Sequence, residues 1–268
     1  MIAFPHAKIN LGLSIISKRP DGFHNLETIF YPVPLKDALE IVLSEETKIH
    51  QGGFEIPERQ EGNLVMKAYF LLKKNYPKVG SLDIHLHKAI PLGAGLGGGS
   101  SDAAEMLKLV NQFFDLKIPS PVLAGYALQI GSDCPFFLQD SPCYATGRGE
   151  ILEPVSFSLS GYSILLVHPE IRVDTAWAFS KITPAKADGG LKNKIRMPVE
   201  SWASSIKNDF EAPVFNEYPS LQKIKENLYA NGAFYASMTG SGSTLFGIFP
   251  KGRRPDVQFD RAALSFID

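Results

Sequence analysis

A glycine-rich stretch near the middle of the chain restricts the fold more than any other sequence feature. Five of the seven residues from 93 to 99 are glycine. The residues that follow place apolar side chains at three- and four-residue spacing, which predicts a helix; they are Ala103, Met106, Leu107, Val110 and Phe113. We expect Asp102 to cap this helix, with Glu105 as its return partner. Because a helix N-terminus presents unpaired amides and a positive dipole end, the stretch predicts a phosphate-binding loop.

Three known glycine motifs compete for this stretch. Three of its glycines have the spacing of the dinucleotide fingerprint, but Pro91 separates them from the preceding segment, and residues 82–88 alternate as a half-exposed strand does. The P-loop requires a lysine after its last glycine, and serines stand there instead. The protein-kinase loop requires His-Arg-Asp and Asp-Phe-Gly, which the sequence lacks. A flexible linker is disfavoured because a periodic helix begins at once.

Composition limits the possible partners. The chain has 268 residues with 44% hydrophobic content, which favours two domains, here predicted as 1–152 and 153–268. Its 27 basic and 28 acidic residues nearly balance, so no basic field attracts nucleic acid or an anionic membrane. No apolar run approaches the ~20 residues of a membrane span, and two cysteines are too few for a disulfide scaffold. We expect a cytoplasmic enzyme with a small-molecule substrate.

The first half of the chain contains several strand patterns and one further helix. Residues 7–15 alternate, so Lys8 and Asn10 share the polar face of a predicted strand, a face that on composition alone is solvated. Asn63 is a suitable cap for a helix over 64–75. The other predicted elements are a turn over 19–22, strands over 26–32 and 38–44, and loops at 51–53 and 61–62.

The second half continues with alternating helices and strands. Asp133 lies in a predicted turn between a helix over 121–131 and an apolar strand over 136–138, where an aspartate most often makes a local cap. Asp174 or Thr175 caps the next predicted helix. The remaining predictions are a passage between domains over 145–154, a strand over 162–167, a surface loop over 184–198, a helix around 221–228, and strands over 233–239 and 244–249. A helix is expected after these strands, and the tail over 251–268 is short beside it.

Four stretches together resemble a known group of kinases. Residues 91–102 read PLGAGLGGGSSD, and the other stretches are AKINL with DGFH at 7–11 and 21–24, GSDCPF at 131–136 and MTGSGS at 238–243. The set resembles the superfamily of galactokinase, homoserine kinase, mevalonate kinase and phosphomevalonate kinase. This resemblance implies an α+β fold of two domains, with the active site in the interdomain cleft and ATP as phosphoryl donor.

The resemblance is closest to the members whose substrate carries cytidine diphosphate. It implies phosphorylation of the 2-hydroxyl of 4-diphosphocytidyl-2-C-methyl-D-erythritol, a step of the non-mevalonate route to isoprenoids. Lys8 and Asp133 match the catalytic lysine and carboxylate. The implied ATP-binding residues are Asn63, Lys88, Pro91, Leu92, Gly93, Ala94, Gly95, Leu96, Gly97, Gly98, Gly99, Ser100 and Ser101. The implied substrate-binding residues are Asn10, Phe23, His24, Thr175 and Phe179.

Within that set, Phe23 and Phe179 are expected to cover the two sides of the cytosine ring, with His24 reading the base edge. Without the resemblance, Phe179 is interpreted as a core residue. Mg²⁺ is expected with ATP, and its ligands stay open between Ser100, Ser101 and other groups.

Two alternatives remain. One is another kinase of the superfamily acting on mevalonate, homoserine or a sugar, which residues 21–24 argue against. The other is a nucleotide-binding sensor without turnover, which the presence of both Lys8 and Asp133 argues against. The sequence predicts no oligomeric state.

Overall fold

The computed structural model describes residues 1–54, 62–185, 190–257, 259 and 262–267. They form two compact units, each assembled from separate chain segments. Unit 1 comprises Met1–Ala7, Pro34–Leu92 and Gly97–Asp140, and unit 2 comprises Lys8–Val33, Gly93–Leu96 and Ser141–Asp268. The mixture of helices and sheets confirms the predicted α+β class. The sequence domains 1–152 and 153–268 stay a prediction.

The secondary-structure elements begin with five strands, after which helices and strands are mixed. The strands are β1 Ile2–Ala3, β2 His6–Lys18, β3 His24–Lys36, β4 Ala38–Leu43, β5 Lys48–Gly53, β6 Leu82–Lys88, β7 Cys143–Thr146, β8 Ile151–Pro154, β9 Tyr162–Pro169, β10 Tyr235–Met238, β11 Leu245–Pro250 and β12 Ala262–Ile267. The α-helices are α1 Leu64–Asn75, α2 Gly98–Phe113, α3 Ser120–Ile130, α4 Thr175–Ser180, α5 Leu191–Lys194, α6 Glu211–Glu217 and α7 Pro219–Ala230. Cys134–Leu138 and Val199–Ser204 are 3₁₀-helices.

Unit 1 is a sheet with helices packed on one face. The strand order is β1-β4-β6-β5, with β6 antiparallel to β4 and parallel to β5. The predicted alternation of β6 is confirmed, because Leu82, Ile84 and Leu86 are buried in the core that α1, α2 and α3 cover. The intervening side chains lie on the opposite face. Asn63 caps α1 as predicted, its Oδ1 accepting from the Val65 amide at 2.8 Å.

Unit 2 contains two further sheets. Their strand orders are β2-β3-β7-β8 and β10-β11-β9-β12. Strand β9 is central in the second sheet and buried along most of its length. The predicted helix around 221–228 is α7, whose Leu221, Ile224 and Leu228 enter the core beside β10 and β11. Apolar spacing therefore predicted this layer correctly.

Two predictions about glycine-containing segments are wrong. Helix α2 begins at Gly98, and its N-cap is Gly97 with a left-handed backbone, so Asp102 lies inside the helix instead of capping it. A glycine cap has no side-chain signature, so the sequence pattern favours Asp102 and Glu105 instead. Residues 51–53 form the end of β5 instead of a loop, because they pair in parallel with residues 86–88 of β6. That pairing outweighs the turn preference of two glycines.

The other corrections concern short elements. Phe136, Phe137 and Leu138 belong to a 3₁₀-helix and not to a strand, since the chain turns at Cys134–Pro135 and continues winding. The predicted loop over 184–198 contains α5, while residues 186–189 lie outside the described part. The passage predicted over 145–154 includes β8, which pairs with β7. Described residues 262–267 form β12 against β9 where a C-terminal helix was expected. Across the described ranges, no helix is long and apolar enough to cross a membrane.

Candidate active site

The first half of the glycine stretch is held by backbone hydrogen bonds within unit 2. The Lys8 amide donates to the Leu96 carbonyl at 2.9 Å, and the Thr244 amide donates to the Ala94 carbonyl at 3.2 Å. Gly93 and Gly95 have φ of 62° and 78°, a region that glycine adopts without strain. The loop is therefore a fixed structure and not a linker.

Gly95 is required for a reason that the sequence did not reveal. A Cβ at this position would lie 2.1 Å from the Thr239 carbonyl oxygen. The second small-residue loop, residues 239–243, thus lies directly against the glycine stretch. Close approach of one backbone to another explains this glycine without a ligand.

The second half of the stretch forms the N-terminus of α2. The first backbone hydrogen bond of the helix runs from the Ser101 amide to the Gly97 carbonyl at 2.9 Å. The amides of residues 98–100 consequently precede any intrahelical acceptor and are available to an anion. Gly98 is closely packed, because a Cβ there would lie 2.8 Å from Ile90 Cγ2. The predicted glycine-to-helix junction is confirmed.

Lys8 is buried at the centre of a polar network in unit 2. Its Nζ donates to Asn10 Oδ1 at 2.6 Å and to the Gly95 carbonyl at 2.8 Å. The ammonium also lies 5.3 Å from the centre of the Phe30 ring. Lys8 is 3% and Asn10 1% exposed, so the interpretation of this strand face as solvated is wrong. The network fixes the lysine beside the glycine stretch.

Asn10 orders several backbone segments at once. Its Oδ1 accepts from Thr239 Oγ1 at 3.1 Å and from the Gly240 amide at 2.9 Å, and its Nδ2 donates to Thr28 Oγ1 at 3.0 Å. Thr28 and Thr239 were missed by sequence reasoning as partners of Asn10, since hydroxyls 18 and 229 residues away leave no local pattern. The proposed contact of Asn10 with substrate stays a prediction.

Asp133 lies in unit 1, in the predicted turn between α3 and the 3₁₀-helix Cys134–Leu138. It is half-buried, and its carbonyl accepts from the Phe136 amide at 3.2 Å. The next residue, Cys134, is fully buried, and burial raises the pKa of its thiol to about 12. That thiol stays protonated and is a poor nucleophile. The catalytic role of Asp133 stays a prediction.

A buried charge cluster lies below the start of α2. Lys88 forms ion pairs with Asp37 and, at 2.6 Å, with Asp102, and the side chain of Lys88 is fully buried. Asp37 Oδ1 also accepts from the amides of Ala89 and Ile90 at 2.6 and 2.8 Å. Burial raises the pKa of Asp102 to about 7, opposed by the Lys88 ammonium and reinforced by the Asp37 carboxylate.

This cluster ties the end of β6 to the second turn of α2. Sequence reasoning missed Asp37 and Asp102 as partners of Lys88, because the three come from separate elements. The available signal was Asp102 itself, because an acidic residue at a buried helix position needs a partner. The contact of Lys88 with ATP stays a prediction.

Asn63 retains one group that could meet a ligand. Its Oδ1 caps α1, whereas its buried Nδ2 has no hydrogen-bond acceptor among the described residues. A buried unpaired donor is costly, and a bound acceptor would remove that cost. This unpaired Nδ2 donor is compatible with the predicted role of Asn63 in ATP binding.

The predicted base-binding residues lie in unit 2. The Phe23 side chain is 50% exposed, and Arg148 Cζ lies 4.1 Å from its ring centre. His24 stacks on Phe179 with ring centres 4.9 Å apart and an interplanar angle of 18°. Burial lowers the pKa of His24, and the Lys18 charge lowers it further, so the imidazole is neutral at pH 7. Arg148 was missed, since one arginine between two glycines carries no motif.

Thr175 is the first residue of α4, capped by Asp174 as one of the two predicted options. The Thr175 hydroxyl lies 3.0 Å from that of Ser241 in the second small-residue loop. The structure thus brings one predicted substrate residue next to the MTGSGS stretch.

Comparisons with protein families define the class. The model of the GHMP kinases N terminal domain matches residues 63–141, and that of the GHMP kinases C terminal domain matches residues 193–263. These matches include α2 with its glycine-rich start and the second small-residue loop. A mevalonate kinase from Methanococcus jannaschii has the same fold, with a TM-score of 0.67, 13% identity, and coverage of 99% of this chain and 97% of its own. The fold and these elements are those of a small-molecule kinase.

Curated relatives narrow the assignment. A 4-diphosphocytidyl-2-C-methyl-D-erythritol kinase from Parabacteroides distasonis is 54% identical over 94% of this chain and 92% of its own length. The kinase of the same name from Bacteroides fragilis is 51% identical over 98% of this chain and 97% of its own length. A crystal structure of 4-(cytidine 5'-diphospho)-2C-methyl-D-erythritol kinase has a TM-score of 0.80 at 32% identity, covering 92% and 90%. The chain therefore belongs to the 4-diphosphocytidyl-2-C-methyl-D-erythritol kinase family.

Proposed function

We propose that the protein transfers the γ-phosphoryl group of ATP to the 2-hydroxyl of 4-diphosphocytidyl-2-C-methyl-D-erythritol, in the non-mevalonate route to isoprenoid precursors. The relatives above support the substrate. The observation that carries the assignment of a catalytic role is the buried Lys8 ammonium, fixed at 2.8 Å from the Gly95 carbonyl of the glycine stretch. A cation held there is positioned to stabilise phosphate charge.

Asp133 is the proposed proton acceptor. An alcohol is a much weaker acid than a carboxylic acid, so aspartate does not remove the hydroxyl proton in advance. It accepts the proton as the new P–O bond forms in a loose, in-line transition state. Lys8 offsets the negative charge on the transferring group. Together the two side chains define the proposed catalytic pair.

The N-terminus of α2 is the proposed site of the ATP phosphates. The amides of residues 98–100 donate to phosphate oxygens in this proposal. Asn63 supplies its free amide nitrogen in the proposed ATP site. Ser101 is 2% exposed and Ser100 is half-buried, which makes Ser100 the more accessible hydroxyl.

Mg²⁺ is proposed as the accompanying ion. It prefers hard oxygen ligands, keeps several waters and takes others from substrate phosphates, so the Ser100 hydroxyl fits its chemistry. When bound, Mg²⁺ supplies charge neutralisation and orientation of the phosphates.

The substrate base is proposed to bind at Phe23, His24, Thr175 and Phe179. The exposed Phe23 ring offers a face for stacking, which is worth about 1–3 kcal/mol per base. A neutral imidazole at His24 has one donor and one acceptor nitrogen, which suits the edge of cytosine. We infer a cytoplasmic location, because the reaction consumes ATP.

A coupled ADP-release assay over candidate alcohols tests this function. We expect turnover with 4-diphosphocytidyl-2-C-methyl-D-erythritol and none above background with mevalonate, homoserine or galactose. Phe23→Ala tests the base site. Loss of stacking should raise the KM for the cytidine substrate about tenfold and leave the KM for ATP unchanged. Phe23→Tyr keeps the ring and should retain the original KM.

Turnover of mevalonate without turnover of the cytidine substrate would establish the related kinase instead. ATP binding without ADP release from any alcohol would favour the nucleotide-binding sensor.

A further inference from the structure

The sheet of unit 1 carries a group of metal-ligating side chains on the face opposite its helices. His50 on β5 and His85 on β6 are direct partners in the parallel register. Asp83 lies two residues before His85 and so shares its face. The group is separate from every residue proposed above for ATP, the cytidine substrate or catalysis.

The three side chains place their ligand atoms side by side. His50 Nε2 lies 2.9 Å from Asp83 Oδ1, and His85 Nε2 lies 3.6 Å from Asp83 Oδ2. The two imidazole rings are stacked, with centres 4.6 Å apart and an interplanar angle of 14°. One ligand atom from each residue lies within 4.8 Å of the other two.

Hydrogen bonding alone does not account for this arrangement. Asp83 Oδ1 is buried and accepts no hydrogen bond within the described ranges, although His50 Nε2 is 2.9 Å away. The nitrogen and oxygen are therefore close without being aligned on each other. A buried carboxylate oxygen without a hydrogen bond, beside two imidazole nitrogens, is available to ligate an ion.

The surroundings leave room for an ion and its waters. A depression of about 350 Å³ lies on this face, lined by His50 and His85 together with Glu40 and His87. Glu40 is the direct partner of His85 on β4 and adds a second carboxylate to the same face. The exposed imidazoles allow an ion to enter without rearrangement of the core.

We propose that His50, Asp83 and His85 bind one divalent transition-metal ion of the zinc or cobalt type, with water completing its coordination. Two imidazole nitrogens and one carboxylate oxygen suit these ions, whereas Mg²⁺ prefers oxygen ligands alone. The ion links the edge strand β5 to β6. It is distinct from the Mg²⁺ that accompanies ATP.

The test uses the full chain without a polyhistidine tag, freed of metal by dialysis against a chelator. Co²⁺ is titrated with detection by visible absorption, and Zn²⁺ by calorimetry. We expect one ion per chain, with Kd raised at least about tenfold in His85→Ala and in Asp83→Asn. His87→Ala is the matched control on the same strand and face, and should change Kd less than about twofold.

Thermal unfolding separates loss of a ligand from loss of the fold. Zn²⁺ should raise the Tm of the wild-type chain and of His87→Ala, but not that of His85→Ala, whose Tm without metal stays near that of the wild type. His85→Gln replaces His85→Ala if the latter fails to fold. The proposal is overturned if no saturable binding occurs, if His50→Ala binds as tightly as the wild type, or if His87→Ala weakens binding as much as His85→Ala.

Discussion

At the residue scale, Lys8 is a buried cation whose position is fixed before any ligand arrives. Its hydrogen bonds to Asn10 and to the Gly95 carbonyl remove the freedom that a lysine side chain has in water. In the proposed mechanism, an ammonium held in this way stabilises developing charge without reorganising during the reaction. The proposed partner Asp133 is half-buried in a turn of the other unit.

The proposed pair can be tested by removing each charge. Asp133→Asn keeps the shape of the side chain but cannot accept a proton, so kcat should fall by about 10²–10⁴ while both ligands still bind. Lys8→Met combined with Asp133→Asn should cost much less than the product of the single losses, because both groups act on one transferring phosphoryl. Steady-state kinetics and ligand titration of the three variants provide the data.

Asp140→Asn is the matched control, since this aspartate lies near the same turn, is largely exposed and should leave kcat unchanged. Asp133 has no catalytic role if Asp133→Asn keeps more than about a tenth of the wild-type kcat. Full additivity in the double variant would show that the two residues do not act as a unit.

At the element scale, the start of α2 is anchored by the buried cluster of Lys88, Asp37 and Asp102. The pKa of Asp102 is raised by burial to about 7, whereas an unfolded aspartate titrates near 4. Between these values the folded state holds a proton that the unfolded state has released. The contribution of Asp102 to stability is therefore greatest at acidic pH and falls as the pH rises through about 7.

Asp102→Asn should remove this decline, because the amide is neutral throughout and Lys88 keeps its ion pair with Asp37. Urea unfolding from pH 5 to 8 measures the effect, and the difference in stability between variant and wild type should shift in favour of the variant as the pH rises. Glu105→Gln on the same helix is a partly exposed control and should parallel the wild type. If Asp102→Asn parallels it too, Asp102 is ionised at all these pH values.

Local patterns predicted the elements better than the site. The spacing of Leu221, Ile224 and Leu228 was enough for α7, and the alternation in residues 82–88 was enough for β6. The left-handed cap at Gly97 and the winding at Cys134 were missed, because backbone conformation decided them and side-chain pattern did not. The partners of Asn10 and Lys88 were invisible for another reason: they come from distant segments that only the folded chain brings together.

At the scale of the whole molecule, the fold and the substrate are supported by different comparisons. Mevalonate kinase shares the fold at 13% identity, so the fold alone does not select an alcohol. The relatives at 54% and 51% identity match 94% and 98% of this chain and are named for one substrate. Identification of the reaction product therefore tests the substrate, which the fold leaves open.

The most direct measurement of the central proposal is the position of the new phosphate on the product. The 2-carbon of 2-C-methyl-D-erythritol carries a methyl group and no hydrogen, so a phosphate on its oxygen has no adjacent carbinol proton. The protein is incubated with ATP, Mg²⁺ and the cytidine substrate, and the product is examined by proton-coupled phosphorus NMR. We predict one new phosphomonoester signal without splitting by a carbinol proton, absent with Asp133→Asn on the same timescale. A signal split by a carbinol proton, or release of ADP with no new phosphomonoester, would contradict the proposal.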